Sequence, residues 1–223
     1  MFKGWWIVAT HFLVMFFATG FYQYGLSAVV PLVIEEFETD AVTINALFSI
    51  HVAVGLVAGP VAGPLVDRWS ARGILLIGVT ALVAGIVVLS IAPTAWTFVI
   101  AGGLALGVSG TLCGPMAGGA VVARFFTASR GRAMGITSIG TSVGGAVIPL
   151  FIGAAVVALG WRPTLQVVAV AVAVVCGPLL VFRFWDHPED AGVEAEPMPA
   201  GAPLAGSDDQ PPMTAGEVVA VTV

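Results

Sequence analysis

Apolar positions run along this chain in long blocks, without the spacing of a surface helix or the alternation of a half-buried strand. Residues 4–34, 41–66, 73–123, 133–161 and 163–182 contain no Asp, Glu, Lys or Arg, and the few charges between Gly4 and Ala123 fall in two short clusters, 35–40 and 67–72. A helix needs about 20 apolar residues to cross about 30 Å of hydrocarbon, so each block is long enough to span a bilayer. The third block is long enough for two spans, and Ala92-Pro93-Thr94 supplies a turn near its middle. The pattern predicts an all-α membrane protein with six transmembrane helices at about 5–34, 42–66, 73–92, 95–123, 133–160 and 163–184, forming a bundle over residues 1–185.

Composition removes the soluble alternative. Hydrophobic residues make up 58% of the chain and charged residues 9%, against roughly 25% charged in soluble domains. The lipid bilayer is therefore the first partner expected. Lys3 is the only charge ahead of the first block, whose apolar run far exceeds the roughly 7–15 residues of a signal-peptide core, so a retained helix is expected. Lys and Arg near span ends stay in the cytoplasm. Lys3, Arg68, Arg72, Arg124, Arg130, Arg132 and Arg183 fall on one side of a six-span chain and Arg162 alone on the other, which predicts two cytoplasmic termini. From residue 186 the chain turns to Pro, Ala, Gly and acid, so 186–223 is expected to be a disordered acidic tail. The tail carries most of the net charge of −5, which excludes no membrane role and points to no nucleic acid. Cys113 and Cys176 lie within spans without Cys or His neighbours, so neither a metal nor a cofactor is expected.

Polar residues are shared unevenly. The third and sixth helices are nearly uniform in apolar character and are expected to face lipid, whereas the first, second, fourth and fifth carry hydroxyls, amides and imidazoles. Polar groups in a bilayer turn toward partners or an aqueous cavity. Candidate cavity residues are His11, Thr19, Tyr22 and Gln23 on the first helix, and Asn45, Ser49 and His51 on the second. Thr111 on the fourth and Thr137 and Thr141 on the fifth complete the set, although Thr hydroxyls also bond their own backbone one turn back. Gly55, Gly59 and Gly63, then Gly103, Gly107, Gly110, Gly114 and Gly118, then Gly140 and Gly144 suggest close packing of the second, fourth and fifth helices.

Between the second and third helices stands Gly63-Pro64-Leu65-Val66-Asp67-Arg68-Trp69-Ser70-Ala71-Arg72. It resembles the signature loop of the major facilitator superfamily, with Gly63, Leu65, Asp67, Arg68 and Arg72 in place and Ser70 and Ala71 departing from the pattern. Gly4-Trp5-Trp6, Arg130-Gly131-Arg132-Ala133-Met134-Gly135 and Gly160-Trp161-Arg162 are similar to the bacterial oxalate/formate antiporters and monocarboxylate carriers. The resemblance covers residues 1 to about 190 and corresponds to the N-terminal six-helix half of a twelve-helix carrier built from three-helix inverted repeats.

The resemblance implies transport of a small organic anion by alternating access in a bacterial inner membrane, with no enzyme activity. It also implies a gating role for Asp67, Arg68, Arg72, Arg130 and Arg132 and a partner in the form of a C-terminal half or second six-helix unit. Two alternatives stand beside it. A half-size or truncated module would be inactive without that second unit. An intramembrane serine protease of the rhomboid kind would use Gly107-Val108-Ser109-Gly110, but the sixth helix carries no His to serve as its base.

Overall fold

The computed structural model describes residues 3–194 and 196, apart from the side chains of Val66, Asp67, Arg68, Met116 and Ala117. All regular structure among the described residues is helical. The first span runs from Gly4 to Ala28 and is followed by a short helix, Val30–Glu36. The second is Ala41–Arg68 and the third Ala71–Ile91. The fourth comes in two pieces, Ala95–Leu112 and Pro115–Phe125, and the fifth and sixth are Arg130–Leu159 and Trp161–Phe182.

Local chemistry sets the starts of these helices. Asp40 caps the second span by accepting from the Thr43 amide and hydroxyl, both at 2.9 Å. Thr94 caps the fourth by accepting from Thr97 N at 3.2 Å, and Ser70 caps the third by accepting from Gly73 N at 3.0 Å. A side-chain oxygen at this position satisfies an amide that the helix leaves without a partner. Ser70 thus earns its place at a signature-loop position where the family pattern differs. The reversal between the fifth and sixth spans needs Gly160, whose φ of 81° disfavours any side chain.

Packing follows a twofold plan. The second span lies on the fourth, the first on the fifth and the third on the sixth, while the third also lies on the fourth, a contact with only a weak counterpart between the sixth and the first. Exchanging first with fourth, second with fifth and third with sixth turns the first pairing into the second and leaves the third unchanged, which is the relation between two three-helix repeats. Glycines make the close approaches possible. Gly102, Gly103 and Gly107 of the fourth span receive Leu47, Ile50 and Val54 of the second, and Gly140 and Gly144 of the fifth lie against the carbonyls of Phe12 and Phe16.

Two expectations are corrected here. On the second span Gly55 and Gly59 form no packed ridge: a Cβ at Gly59 would meet nothing within 4 Å, because this helix supplies the bulky residues while its neighbour supplies the notches. The third span is not simply lipid-facing. Ile74, Leu75, Gly78, Leu82, Gly85, Ile86 and Leu89 form a buried stripe, with Gly78 admitting Cys113 and Gly85 admitting Ala105.

The described residues beyond 185, namely 186–194 and 196, make contacts with the bundle. Asp186 accepts from Ser70 Oγ at 2.5 Å and from Arg72 N at 2.8 Å, so it adds a second cap to the third span. Lys3 Nζ donates to the Ala191 carbonyl at 2.6 Å, and the Glu196 carboxylate accepts from Ser129 N at 2.8 Å at the start of the fifth span. These bonds hold the Glu196 carboxyl below its ordinary value, the Ser129 amide contributing most. The segment ties itself to helix starts that hydropathy alone does not reveal. Residues 197–223 lie outside the described residues.

Candidate functional site

The first and fourth spans, which correspond under the twofold relation, are both interrupted midway. The first loses regular α-helical bonding in a π segment, Gly20–Tyr24, and a 3-10 segment, Gly25–Ala28. The fourth breaks at Cys113-Gly114, where Pro115 opens the next piece without an amide donor. Single π turns inside α-helices are frequent at functional positions. These interruptions replace the continuous helices predicted at 5–34 and 95–123, and Gly20 explains one of them: a Cβ there would meet the Gly144 backbone at 2.8 Å.

Tyr22 emerges from the π segment onto the second span. Its ring packs on His51 with centroids 4.3 Å apart and planes tilted by 35°. Gly110 of the fourth span leaves room for both, since a Cβ there would sit 2.7 Å from His51 Cε1 and 3.4 Å from Tyr22 Cε1. Thr19 lies beside the Tyr22 side chain. His51 Nδ1 is buried without a close hydrogen-bond partner, the Leu106 backbone being the polar group beside the ring, and an unsatisfied buried nitrogen costs roughly 1–3 kcal/mol. Three spans therefore bring an aromatic ring, a half-buried imidazole and a glycine-widened turn to one place.

The other candidates distribute differently. Thr111 directly follows Gly110 but donates to the Gly107 carbonyl one turn back at 2.9 Å, and Thr137 donates to the Met134 carbonyl at 2.8 Å. Gln23, Asn45 and Ser49 are exposed, Thr141 is half-buried, and no described hydrogen bond joins them to the Tyr22–His51 pair. His11 is buried lower on the first span against Gly118. Ser109 is fully buried with its hydroxyl toward Cys113 Sγ at 3.9 Å, which gives it no general base among its hydrogen-bond partners. No group of His, Cys, Asp or Glu among the described residues is placed to hold a metal ion.

Of the signature-loop residues, Gly63 is half-buried at the end of the second span, and the side chains of Asp67 and Arg68 lie outside the described residues. Arg72 reaches the Val181 carbonyl at the end of the sixth span. Arg130 is exposed, and Arg132 lies over the Trp5 ring at 5.8 Å. The tryptophans that suggest a carrier subgroup serve the bundle's ends: Trp5 packs on Phe126, Trp6 lies under Arg183, and Trp161 lies under Arg162.

A family model for the Major Facilitator Superfamily matches residues 12–215. The chain belongs to the major facilitator superfamily. Among curated relatives, the MFS-type transporter eupM of a Phoma species is 31% identical over 127 residues, which is 56% of this chain and 44% of that protein. The riboflavin transporter RibJ of Trypanosoma cruzi (strain CL Brener) is 32% identical over 152 residues, 67% of this chain and 32% of the relative. The riboflavin transporter MCH5 of Saccharomyces cerevisiae is 31% identical over 111 residues, 49% of this chain and 21% of the relative.

Among solved structures, a bacterial homolog of the human lysosomal transporter Spinster, inward-facing and unoccupied, aligns with a TM-score of 0.62. It shares 17% identity over 87% of this chain and 44% of that one. The likeness establishes the fold: this chain has the architecture of one six-helix half of a facilitator. It spans less than half the length of these relatives. The chain is thus an integral membrane protein, and its curated relatives carry transporter names.

Proposed function

We propose that this facilitator chain is the N-terminal half of a secondary carrier for a monocarboxylate or related organic anion, bound where the interrupted first and fourth spans meet the second. The pairing of the two interruptions around Tyr22 and His51 carries this reading. Broken helices at mid-span present free backbone groups beside adaptable side chains, which is how such carriers build a solute site. The Tyr22 hydroxyl and a protonated His51 can both donate to a carboxylate, and no acid lies in Gly4–Ala28, Ala41–Leu65 or Ala95–Leu112 to compete. The resemblance to oxalate/formate antiporters supports the anion, and exchange as the mode of transport.

The second and fifth spans leave most of their surface open. An apolar groove of about 590 Å³ runs along the second, lined by Ile50, Val54, Val57, Val61, Leu65 and Leu104. This openness supports completion of the route by a second six-span unit. Asp67, Arg68, Arg72, Arg130 and Arg132 then form the gate at the end rich in basic residues, which the distribution of Lys and Arg assigns to the cytoplasm, and a bacterial inner membrane fits the same resemblance.

Thermal melting of the purified chain in detergent tests the site. Oxalate, formate or lactate is expected to raise the midpoint, and His51→Ala to weaken that binding about ten- to a hundredfold, as for loss of a hydrogen bond to a charged group of roughly 1.5–3 kcal/mol. Stabilisation by riboflavin alone would replace the anion with a planar aromatic solute, and no shift with any of these would remove the site. Reconstituted by itself, the chain is expected to show no saturable uptake of the same acids, and measured uptake would show that six spans suffice.

A further inference from the structure

Two tryptophans open the first span, and each lies against an arginine. Arg132 of the fifth span is 5.8 Å from the Trp5 ring centre, and Arg183, just past the sixth span, is 4.7 Å from that of Trp6. Both arginines are exposed, and among the described residues neither guanidinium has a hydrogen-bond or carboxylate partner. The acids at this end are engaged elsewhere or stand apart. Asp186 accepts from Ser70 and the Arg72 amide, Glu196 accepts from Ser129, and Glu189, Asp190 and Glu194 are exposed without forming an ion pair among the described residues. An aromatic ring takes the face of a guanidinium and leaves its N–H edge free, and that edge matches a phosphate.

An apolar groove of about 490 Å³ starts at Trp5 and runs inward, lined by Trp5, Val8, Ala9, Phe12 and Leu13 of the first span and Ile136 of the fifth. It is separate from the groove along the second span, with which it shares no lining residue. Ala9 is exposed and leaves the groove open at its middle. Cys176 lies 3.9 Å from the Leu13 carbonyl, which puts the sixth span beside the deep end. From Trp5 to Leu13 a helix rises about 12 Å, close to the depth of one leaflet of a hydrocarbon core about 30 Å thick. Tryptophan sits at headgroup level, so the two guanidiniums stand among phosphates while the groove stands among acyl chains.

We propose that this groove is a binding site for one anionic phospholipid. An acyl chain lies between the first and fifth spans against Phe12 and Ile136, the phosphate meets the N–H edge of Arg132, and Arg183 adds positive charge from the Trp6 side. Charge and length together choose this occupant. A zwitterionic lipid fills the groove but brings its own cation toward the arginines, and a free phosphate leaves the apolar walls uncovered. Basic pockets between spans recognise anionic headgroups on the same grounds. The bound lipid bridges the first and fifth spans, the pair that closes at Gly140 and Gly144, so its binding stabilises that seam.

Native mass spectrometry of the full chain released from detergent micelles counts the lipid it retains. Phosphatidylglycerol is expected to bind at least about tenfold more tightly than phosphatidylcholine with the same acyl chains, and Arg132→Gln to weaken phosphatidylglycerol about fivefold while leaving phosphatidylcholine unchanged. Ala9→Phe, which fills the groove and alters no charge, is expected to weaken both lipids. Equal affinity for the two lipids, or phosphatidylglycerol binding that neither substitution moves, overturns the proposal. Thermal melting of the unaltered chain needs no substitution: phosphatidylglycerol must raise the midpoint further than phosphatidylcholine or glycerol 3-phosphate does. A matching rise with glycerol 3-phosphate would show an anion held without the groove and overturns it as well. Arg132 also belongs to the proposed gate, so lipid retention is the quantity read, and no organic acid is added, which keeps failure of this site distinct from failure of the solute site.

Discussion

A single side chain at Gly144 is expected to unseat the fifth span. A Cβ there would fall on the carbonyl, carbon and Cα of Phe16, and Gly20 opposes the Gly144 backbone from the other direction. The obstacle is helix backbone, which cannot rotate aside as the end of a side chain can. Gly144→Val therefore forces the first and fifth spans apart along the seam that also orients the π segment and Tyr22. Overpacking a well-fitted interior costs roughly 1–3 kcal/mol, and displacement of a whole seam puts this variant at the upper end. The expected outcome is loss of a monodisperse species in detergent or a large fall in its melting temperature. Gly59→Ala is the matched control, since nothing lies within 4 Å of the new methyl group, and it is expected to stay within about 0.5 kcal/mol of the parent. Equal behaviour of the two variants would refute the packing assigned to this seam.

Arg162→Ala is expected to loosen the opposite end of the bundle and to change its response to acid. The guanidinium donates to Glu36 at 2.7 and 3.1 Å and to the carbonyls of Ser90 and Ala92 at 3.0 and 2.9 Å, while lying 4.4 Å from the Trp161 ring centre. One side chain thereby joins the helix after the first span, the end of the third and the start of the sixth. This explains why a basic residue stands on the side that the other Lys and Arg residues avoid. With side chains 31% and 43% exposed, solvent screening reduces the ion pair, and a total loss of about 1–2 kcal/mol is expected. Arg162→Lys should recover less than half, because an ammonium cannot occupy the three directions of the fork at once.

The same contact predicts a pH dependence. Arg162 first, and Trp161 after it, hold the Glu36 carboxyl below its ordinary value of 4.5. A lowered folded value means that the stabilisation is complete above about pH 4.5 and is lost as pH falls through the folded value. Melting temperatures measured from pH 3 to 7 should show this acid limb in the parent and a weaker one in Arg162→Ala. Identical limbs would show that Glu36 takes no stability from the contact.

Much of the site was legible as a list of residues and little of it as an arrangement. Tyr22 and His51 stand out in the sequence as polar groups in apolar blocks, but their stacking depends on a π segment that no periodicity announces. The local signs are Gly20, Gly25 and the Gly114-Pro115 pair, which acquire meaning only when Gly144 presses on the first. Asn45 and Ser49 share the helical spacing that His51 breaks, yet they lie exposed while His51 meets Tyr22. The contacts of Asp186 and Glu196 were hidden because a segment rich in Pro, Ala and acid looks disordered by composition, whatever helix starts stand open beside it.

Membrane residence, six crossings and the end that carries most of the basic residues were determined by the sequence alone, because moving charge through hydrocarbon costs free energy that depends on the order of residues along the chain. Which faces pair, where the first and fourth spans break, and which imidazole meets a tyrosine were decided only in the tertiary structure. Lipid tails are as apolar as Leu or Val, so hydropathy does not separate a helix's packed side from its open side. Steric fit between glycine notches and the residues that enter them makes that choice, and it exists only once two helices meet.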